Sequence, residues 1–548
     1  MSRFSQIPQL ILTNGKFHTQ DPGKPTAEAI AIANGRIIEL GDSKTISKSA
    51  RQQTEKIDLG GRRVIPGLID SHFHYHEWAF MRRHLNLAKV SSLAECLTIL
   101  KNEAGRKEPG EWIIGQGFNE SDWPENQIPL RKDLDRITTD HPLIIWRCDL
   151  HLAVANSVAL DIAGIGPDTP NPPEGIIEKD GTAQPTGVLR ELAINLVKKP
   201  ILELMDKDIV TAMHEGIHVL NGVGLTGVHD IRLMGGLEGA SALKAWQSLE
   251  QTTDMNLRVW VTLPGENLDE AIALGLKSGF GNHKLRLGHV KFFADGGMGA
   301  RTAYMIDPYL DADVGMPLTP MRELETALKK ADKSGLAVMI HAIGDRTNRE
   351  LVDLLERVMV LSSQQQDRRT LPSMPHRIEH LQMIRTEDIQ RLGALKRVAG
   401  CVQPHNLILD INMVEQCVGN KGRFVYSFRD MLDAGINVLF SSDTPVCDPS
   451  PLVGIHAAVT RQRADGTPNN GWYPEQKVTV EEAIYAYTMA PALASGAGQT
   501  LGSLSIGKFA DLVVLDRDIL SIDPADIIKT SVELTLVDGQ VVYRSASI

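Results

Sequence analysis

Two histidines, His72 and His74, follow a short apolar run in the segment IDSHFHYHE. In an extended chain, alternate side chains point to the same side, so these two imidazoles would face a common ligand. Zinc and its first-row neighbours favour imidazole nitrogen, and the spacing suits a single metal ion. Such pairs also occur on ordinary polar strand faces, and His76 continues the alternation. The pair alone therefore leaves metal binding and a structural role open.

Four further side chains occupy similar places relative to short β-prone runs. His341 ends GLAVMIH, His380 ends PHRIEH and Asp443 follows INVLFSS, whereas Lys291 lies inside the apolar run LGHVKFF. Each has a structural interpretation: a hydrogen-bonded core histidine, a helix N-cap aspartate, or a lysine that extends to solvent. Because such residues recur across successive runs, their joint occurrence favours one metal site.

Lys291 suggests a specific chemistry. A lone ammonium inside an apolar strand is costly and tends to lose its proton. A neutral amine can react with carbon dioxide to give a carbamate, an anion whose two oxygens can bridge two metal ions. The buried lysine therefore predicts a binuclear centre.

These residues need a scaffold that brings several strand ends together. Short β-branched runs alternate with helical patterns, which is typical of βα units around a parallel sheet. Eight strands close an α/β fold of the (β/α)8 TIM-barrel type, whose active residues lie at the carboxyl ends of the strands. The eight runs are residues 63–70, 225–230, 257–263, 287–293, 335–341, 375–380, 397–403 and 436–442.

Two additions to the barrel are predicted. Asn-Gly or Asp-Gly pairs between apolar runs predict hairpins in LILTNGKFHT, AIAIANGRIIELG and VELTLVDGQVVYR. Since chain ends often lie close together, we expect a small β-sandwich domain from residues 1–62 plus 497–548. The barrel takes residues 63–88 plus 200–496. Residues 89–199 are too long for an ordinary connection and predict an inserted α+β subdomain over the active site.

The motifs are similar to those of a known family. PGLIDSHFH, the lysine, the two isolated histidines and the aspartate resemble the binuclear pattern of the amidohydrolase superfamily. GQGFNESDWPENQIPLRKDLD, VKFFADGGMGARTA, RIEHLQ and SSDTPVCDPSPLVGIHAAVTR resemble the branch that contains N-substituted formamide deformylase and the YtcJ-like hydrolases. The resemblance spans nearly the whole chain and implies the barrel, the terminal β-sandwich and the insertion.

The resemblance also implies two divalent metal ions per chain, with zinc as the first candidate. The first two histidines and the aspartate would hold one ion, the other two histidines would hold the second, and the carbamylated lysine would bridge them. The implied ligands are His72, His74, Lys291, His341, His380 and Asp443. Two departures from the family pattern remove no ligand: Ser-Ser precedes the aspartate, and the insertion reads Asp149-Leu150-His151.

This site predicts hydrolysis of a C–N bond in a small amide or N-substituted formamide. Two adjacent ions share one water, lower its pKa and polarise the scissile carbonyl. Asp443, a ligand in contact with this metal-bridging hydroxide, is the candidate base that passes the proton to the leaving nitrogen. His151 matches the family's histidine in the insertion and is a candidate for contact with the oxyanion or for a structural role.

Other functions remain open at this point. The same site could hydrolyse a lactone or ester, or deaminate a ring, although deaminases of this superfamily typically hold one metal and lack the bridging lysine. A non-catalytic regulatory protein on this fold is the alternative outside enzymes, and such relatives usually lose ligands. Arg301 is a candidate for pairing with a substrate carboxylate or with a barrel acid.

Composition narrows the partners. A formal net charge of −11 disfavours nucleic acid and anionic membranes. Five scattered cysteines without a CxxC pair argue against a disulfide framework and a thiolate zinc site. The first residues lack the pattern of a secretion signal, so we expect a cytoplasmic protein that acts on a small molecule. The sequence does not define the oligomeric state, and a homodimer is one hypothesis.

Overall fold

An eight-stranded parallel sheet forms the centre of the molecule. The computed structural model describes residues 7–173, 175–205, 209–252, 255–363 and 371–548. The eight strands, called barrel strands 1 to 8, are neighbours in chain order, and successive strands pair in parallel. Their bounds are Leu68–Phe73, Leu225–Asp230, Arg258–Pro264, Leu285–Phe293, Val338–Ala342, His376–His380, Val398–Val402 and Asn437–Phe440.

The sheet closes through backbone hydrogen bonds just beyond barrel strands 8 and 1. The Asp443 N–H donates to the His72 carbonyl at 2.9 Å, and the His74 N–H donates to the Thr444 carbonyl at 2.8 Å. Both bonds lie at the carboxyl ends of the strands. The predicted (β/α)8 barrel is confirmed, and its closure joins two of the predicted metal-binding segments.

Helices surround the barrel, and Met321–Ser334 is one that buries a single face. In Met321–Ser334, Leu324, Leu328 and Ala331 are buried at a spacing of three to four residues, as expected for a helix that covers a sheet. The helix ends at Gly335, whose φ of 80° is common at helix C-termini. Across the described residues, no helix is both long and apolar enough to cross a bilayer. The barrel helices are Tyr75–Met81, Ile209–Gly222, Gly239–Glu250, Leu268–Ala273, Met321–Ser334, Asp345–Ser363, Thr386–Gly393, Pro404–Val418, Phe428–Asp433, Pro451–Thr460, Val480–Tyr487 and Met489–Ala494.

Two further sheets share a separate core, to which both ends of the chain contribute. This core contains Leu12, Phe17, Ile30, Leu512 and Leu534. One sheet has the strand order Arg36–Gly41, Ala29–Ala33, Leu10–Thr13 and Glu55–Asp58, and the helix Ser43–Ile46 follows its strand Arg36–Gly41. The other sheet has the order Gln540–Arg544, Val532–Val537, Leu512–Leu515, Arg63–Pro66, Lys16–His18 and Thr26–Ala27.

The prediction that residues 63–70 form one strand is wrong. Arg63–Pro66 pairs within the terminal sheet, whereas Leu68–Phe73 opens the barrel. The chain passes from the terminal sheet to the barrel sheet at Gly67. An added Cβ there would lie 2.3 Å from the Thr226 Oγ1. A continuous β-prone run does not reveal which of two sheets each half will join.

The Asn14-Gly15 turn also differs from the prediction. Its flanking strands, Leu10–Thr13 and Lys16–His18, lie in different sheets, so the turn carries the chain between sheets and is not a hairpin. By contrast, the Asn34-Gly35 turn joins two antiparallel strands as predicted. Its φ angles of 51° and 73° are those of a type I′ hairpin turn.

The part of the chain between barrel strand 1 and the helix Ile209–Gly222 forms a third sheet. It begins at Leu85, before the predicted boundary at residue 89, and it ends at Glu191. Its strand order is Gly175–Lys179, Pro185–Glu191, Leu152–Ala155, Leu143–Arg147, Ile113–Phe118 and Leu85–Asn86. The accompanying helices are Leu93–Ala104, Arg131–Asp135, Ser157–Ile162 and Ile194–Met205.

Arg258, at the start of barrel strand 3, joins the barrel to the terminal sheets. Its buried guanidinium donates to both oxygens of Asp511 at 2.6 and 2.8 Å and to Asp538 at 2.7 Å. Arg258→Ala leaves these carboxylates without their cation, so we expect the free energy of unfolding to fall by about 3–5 kcal/mol. Urea denaturation followed by circular dichroism measures the change.

The matched control is Arg544→Ala, which removes an exposed ion pair with Glu55. This change should lower the free energy of unfolding by less than about 1 kcal/mol. Equal losses in the two variants would contradict the assigned role of Arg258.

Candidate metal centre

The six predicted ligands meet at the carboxyl ends of the barrel strands. All six are buried and line one cavity of about 680 Å³. Strands 1, 4, 5 and 6 and the segments that follow strands 1 and 8 supply them. They are His72, His74, Lys291, His341, His380 and Asp443.

Three of these side chains converge tightly. The Oδ1 atom of Asp443 lies 3.5 Å from His72 Nε2 and 3.3 Å from His74 Nε2. Donor atoms of the three residues all lie within 4.8 Å of one another. Two imidazole nitrogens and a carboxylate oxygen are ligands that a zinc ion accepts, so these three residues could hold one.

The other two histidines form a neighbouring group. The ring centroids of His341 and His380 are 4.5 Å apart, and the His380 ring is 4.8 Å from that of His72. His341 and His380 therefore lie beside the first group and can hold a second ion.

Several polar atoms at the centre are buried without a hydrogen-bond partner in the part of the chain that the structure describes. They include His72 Nε2, Asp443 Oδ1 and Lys291 Nζ. Leaving such atoms unpaired costs free energy, and a coordinated cation removes that cost at the nitrogen and the oxygen. Asp295, four residues after the lysine, accepts hydrogen bonds from the backbone N–H groups of Ile343 and Gly344.

The protonation states suit metal binding. Burial lowers the pKa of His72 and His341 well below the usual value and lowers the pKa of His380 to about 4. Their rings are therefore neutral at pH 7, as ligands must be. Burial also lowers the pKa of Lys291 to about 8, which raises the share of the reactive neutral amine. Burial alone would raise the pKa of Asp443, but its interactions with His72, His74 and His380 outweigh burial and lower that pKa.

Each of three ligand rings is oriented through its Nδ1 atom. His72 Nδ1 lies 2.5 Å from Glu379 Oε2, His74 Nδ1 lies 3.1 Å from the Ile231 carbonyl, and His380 Nδ1 lies 2.9 Å from Gln403 Oε1. With Nδ1 engaged, Nε2 is left for the metal. The sequence analysis missed Glu379 and Gln403; the place of Glu379 next to His380 in RIEH was the available signal.

Glu379 positions a metal ligand and does not belong to a further metal-binding site. With His72 and Cys401 it forms a second group of nearby donors. Both of its oxygens, however, accept hydrogen bonds from the Arg377 guanidinium at 2.8 and 2.9 Å. Burial raises the pKa of the Cys401 thiol well above its usual value, which disfavours the thiolate that a metal requires.

His151 enters the same cavity from the third sheet. Its ring centroid is 5.4 Å from that of His341, and its Nδ1 lies 2.7 Å from Glu191 Oε2. Burial lowers the pKa of His151, but the charge and hydrogen bond of Glu191 outweigh burial and raise it to about 9. A protonated imidazole therefore faces the metal-binding residues.

Arg301, the candidate for pairing with a substrate carboxylate, lies away from this centre. Its guanidinium donates to both oxygens of Asp311 at 2.9 and 2.7 Å. It lines neither the first cavity nor a second one that adjoins it. Arg301 therefore stabilises the loop after barrel strand 4.

The backbone is unusual at two ligands. His380 and Asp443 have φ angles of 71° and 61°, in a region that non-glycine residues seldom adopt. Such conformations cost free energy and persist where the surroundings impose them, often at functional sites. Both angles aim side chains from strand ends into the cavity.

Known proteins share this arrangement. Residues 55–543 match the Amidohydrolase family, and the chain belongs to that family. It is 32% identical to Protein LONG AFTER FAR-RED 3 of Arabidopsis thaliana over 98% of this chain and 92% of that protein. It is 28% identical to N-substituted formamide deformylase of Arthrobacter pascens over 98% of this chain and 99% of that enzyme.

A solved structure extends the likeness to the fold. The crystal structure of an uncharacterized metal-dependent hydrolase from Pyrococcus horikoshii superposes with a TM-score of 0.74 and 29% identity, over 94% of this chain and 99% of that one. The resemblance to the amidohydrolase superfamily is confirmed. The chain is a metal-dependent hydrolase of that superfamily.

Glu379→Gln tests the orientation of His72. The amide keeps the shape of the carboxylate but removes the charge that makes His72 a better ligand, so metal affinity should fall about 10- to 100-fold. Competition with a chelator measures the affinity. Glu350→Gln, on an exposed helix face, is the control, and equal affinity in both variants would show that Glu379 does not act through His72.

Proposed function

We propose that this chain hydrolyses a C–N bond in a small amide or N-substituted formamide, with two divalent metal ions, zinc first among them. The observation that best supports this proposal is the set of six side chains at the mouth of the barrel. It combines four imidazoles, one carboxylate and one buried amine that has no hydrogen-bond partner among the described residues. The likeness to N-substituted formamide deformylase supports the choice of substrate class.

The ligand set divides between two ions. His72, His74 and Asp443 suit the first ion, since their donor atoms already converge. His341 and His380 suit the second. When bound, two adjacent ions supply a hydroxide nucleophile at neutral pH and polarise the substrate carbonyl.

Lys291 supplies the shared anion. Its neutral amine adds to carbon dioxide with formation of an N–C bond and loss of one proton, and the carbamate then carries one negative charge on two oxygens. This converts a buried amine with no hydrogen-bond partner into a ligand suited to both cations.

Asp443 is the proposed base. Its carboxylate lines the cavity, and its low pKa keeps it ionised at neutral pH. It takes the proton from the attacking water and delivers it to the leaving nitrogen, which then departs as the amine.

His151 is the proposed donor to the oxyanion. Because Glu191 holds Nδ1, the Nε2–H group remains for the substrate. The protonated ring donates a charge-assisted hydrogen bond to the carbonyl oxygen as negative charge develops there.

A substrate screen tests the function. Metal-loaded protein is assayed with N-formyl, N-acyl and cyclic amides beside matched lactones, esters and ring amines. We expect release of an amine and a carboxylate from an amide, with activity lost on chelation and restored by zinc. Turnover of lactones alone, or of ring amines to ammonia, would contradict the proposal.

Asp443→Asn tests the base. The amide oxygen can still coordinate an ion but cannot accept the proton, so kcat should fall about 10²- to 10⁴-fold with metal still bound. Metal content is measured beside the rate. Asp433→Asn, on an exposed helix, is the control and should leave kcat unchanged; unchanged kcat in Asp443→Asn would remove this aspartate from the mechanism.

A further inference from the structure

A second cavity, of about 620 Å³, adjoins the metal centre. His151, His341, His380 and Asp443 line both cavities. When the scissile bond of a substrate lies at these residues, the groups on its two sides therefore extend into different cavities. Because the walls of the two cavities differ in chemistry, each cavity selects a different substituent.

The first cavity is mainly apolar beyond the metal-binding residues. Its charged wall residues are paired: Glu77 with Lys198 at 3.2 Å, Glu191 with His151 at 2.7 Å and Asp149 with Arg147 at 2.5 Å. This cavity suits an aliphatic or aromatic group. Its apolar wall contains Met81, Trp146, Leu150, Ile194, Leu233, Met234, Phe293 and Val446.

The second cavity presents hydrogen-bond acceptors. Asp410 Oδ2 accepts hydrogen bonds from Gln382 Nε2 at 2.9 Å and from the Tyr426 hydroxyl at 2.5 Å. No described residue donates to the other Asp410 oxygen or to Gln382 Oε1, and Gln382 is only 6% exposed. Acceptors that line a cavity without a donor favour a ligand rich in N–H groups.

The charge of this cavity points the same way. Its arginine, Arg147, donates to Glu120 at 2.9 Å and to Asp149 at 2.5 Å and is therefore already neutralised. Among the described residues, Asp410 has no basic partner at hydrogen-bond distance. Burial raises the pKa of its carboxyl group to about 7, so a bound cation would favour the ionised form. The chain as a whole carries a net charge of −11, which attracts cations.

We propose that the second cavity binds a positively charged nitrogen group at one end of the substrate, an alkylammonium or a guanidinium, while the first cavity holds an apolar group. The inference rests on the proposed function, since both cavities meet at its metal centre. Asp410 and Gln382 are the specificity-determining residues, with Asp410 accepting charge-assisted N–H bonds.

Calorimetric titration of metal-loaded protein tests the binding. Butylguanidinium and butylurea are the probes: they share one planar shape, but the first carries the positive charge and more N–H donors. We expect the dissociation constant of butylguanidinium to be at least about tenfold lower, the effect of one charge-assisted hydrogen bond. Asp410→Asn should abolish this difference, whereas the exposed control Asp161→Asn should keep it.

Equal affinity of wild-type protein for the two probes overturns the inference, and this result does not depend on any variant folding. A preference that survives in folded Asp410→Asn overturns the role of Asp410.

Turnover separates this inference from the proposed function. Amides that carry a distal ammonium should show a kcat/KM at least about tenfold above their hydroxyl analogues. If amides are cleaved without that preference, the inference is wrong and the proposed function stands. If no amide is cleaved but butylguanidinium still binds selectively through Asp410, the proposed function is wrong and the cation site stands.

Discussion

Burial of polar donor atoms at one end of a closed barrel is the constraint on which the site depends. Four imidazoles, a carboxylate and an amine are removed from water there, and several of their atoms have no hydrogen-bond partner. Burial lowers the pKa of His72, His341 and His380, which keeps these rings neutral, and moves Lys291 toward its neutral form. Each change costs stability in the empty protein and prepares the group for a metal ion.

Backbone hydrogen bonds, side-chain partners and the third sheet all hold these groups in place. Barrel closure fixes the spacing between the His72 and Asp443 segments through backbone hydrogen bonds. Glu379 and Gln403 then set the orientation of two ligand rings. The third sheet adds His151 and its partner Glu191. These contacts hold the site on the barrel side, while the residues that line its cavity come from both the barrel and the insertion.

The sequence predicted the barrel well because its signal is local. Alternating β-prone and helical runs locate strands, and histidines at the run ends share one edge of a parallel sheet. Sheet membership was less predictable: Gly67 divides one run between two sheets, and Asn14-Gly15 connects sheets where a hairpin was expected. Such outcomes depend on long-range pairing, which turn residues do not encode.

Orienting partners were also beyond the sequence. Glu379, Gln403 and Glu191 act through contacts between distant segments, and no spacing rule relates them to the ligands they serve. Arg301 illustrates the converse, since a conspicuous charge in a suggestive motif is bound by Asp311 on its own loop. Charge and motif identify candidates, whereas contacts decide which of them face substrate.

The two-ion proposal depends on a carbamate on Lys291 that both ions share. Carbon-13 NMR of metal-loaded protein in ¹³C-bicarbonate measures it directly. We predict one carbamate resonance that is retained while two ions are bound and absent from Lys291→Arg, because a guanidinium stays protonated and adds a positive charge between the cations. The carbamate proposal would be contradicted if the wild-type protein held two ions without this resonance. It would also be contradicted if Lys291→Arg held two ions as tightly as the wild type.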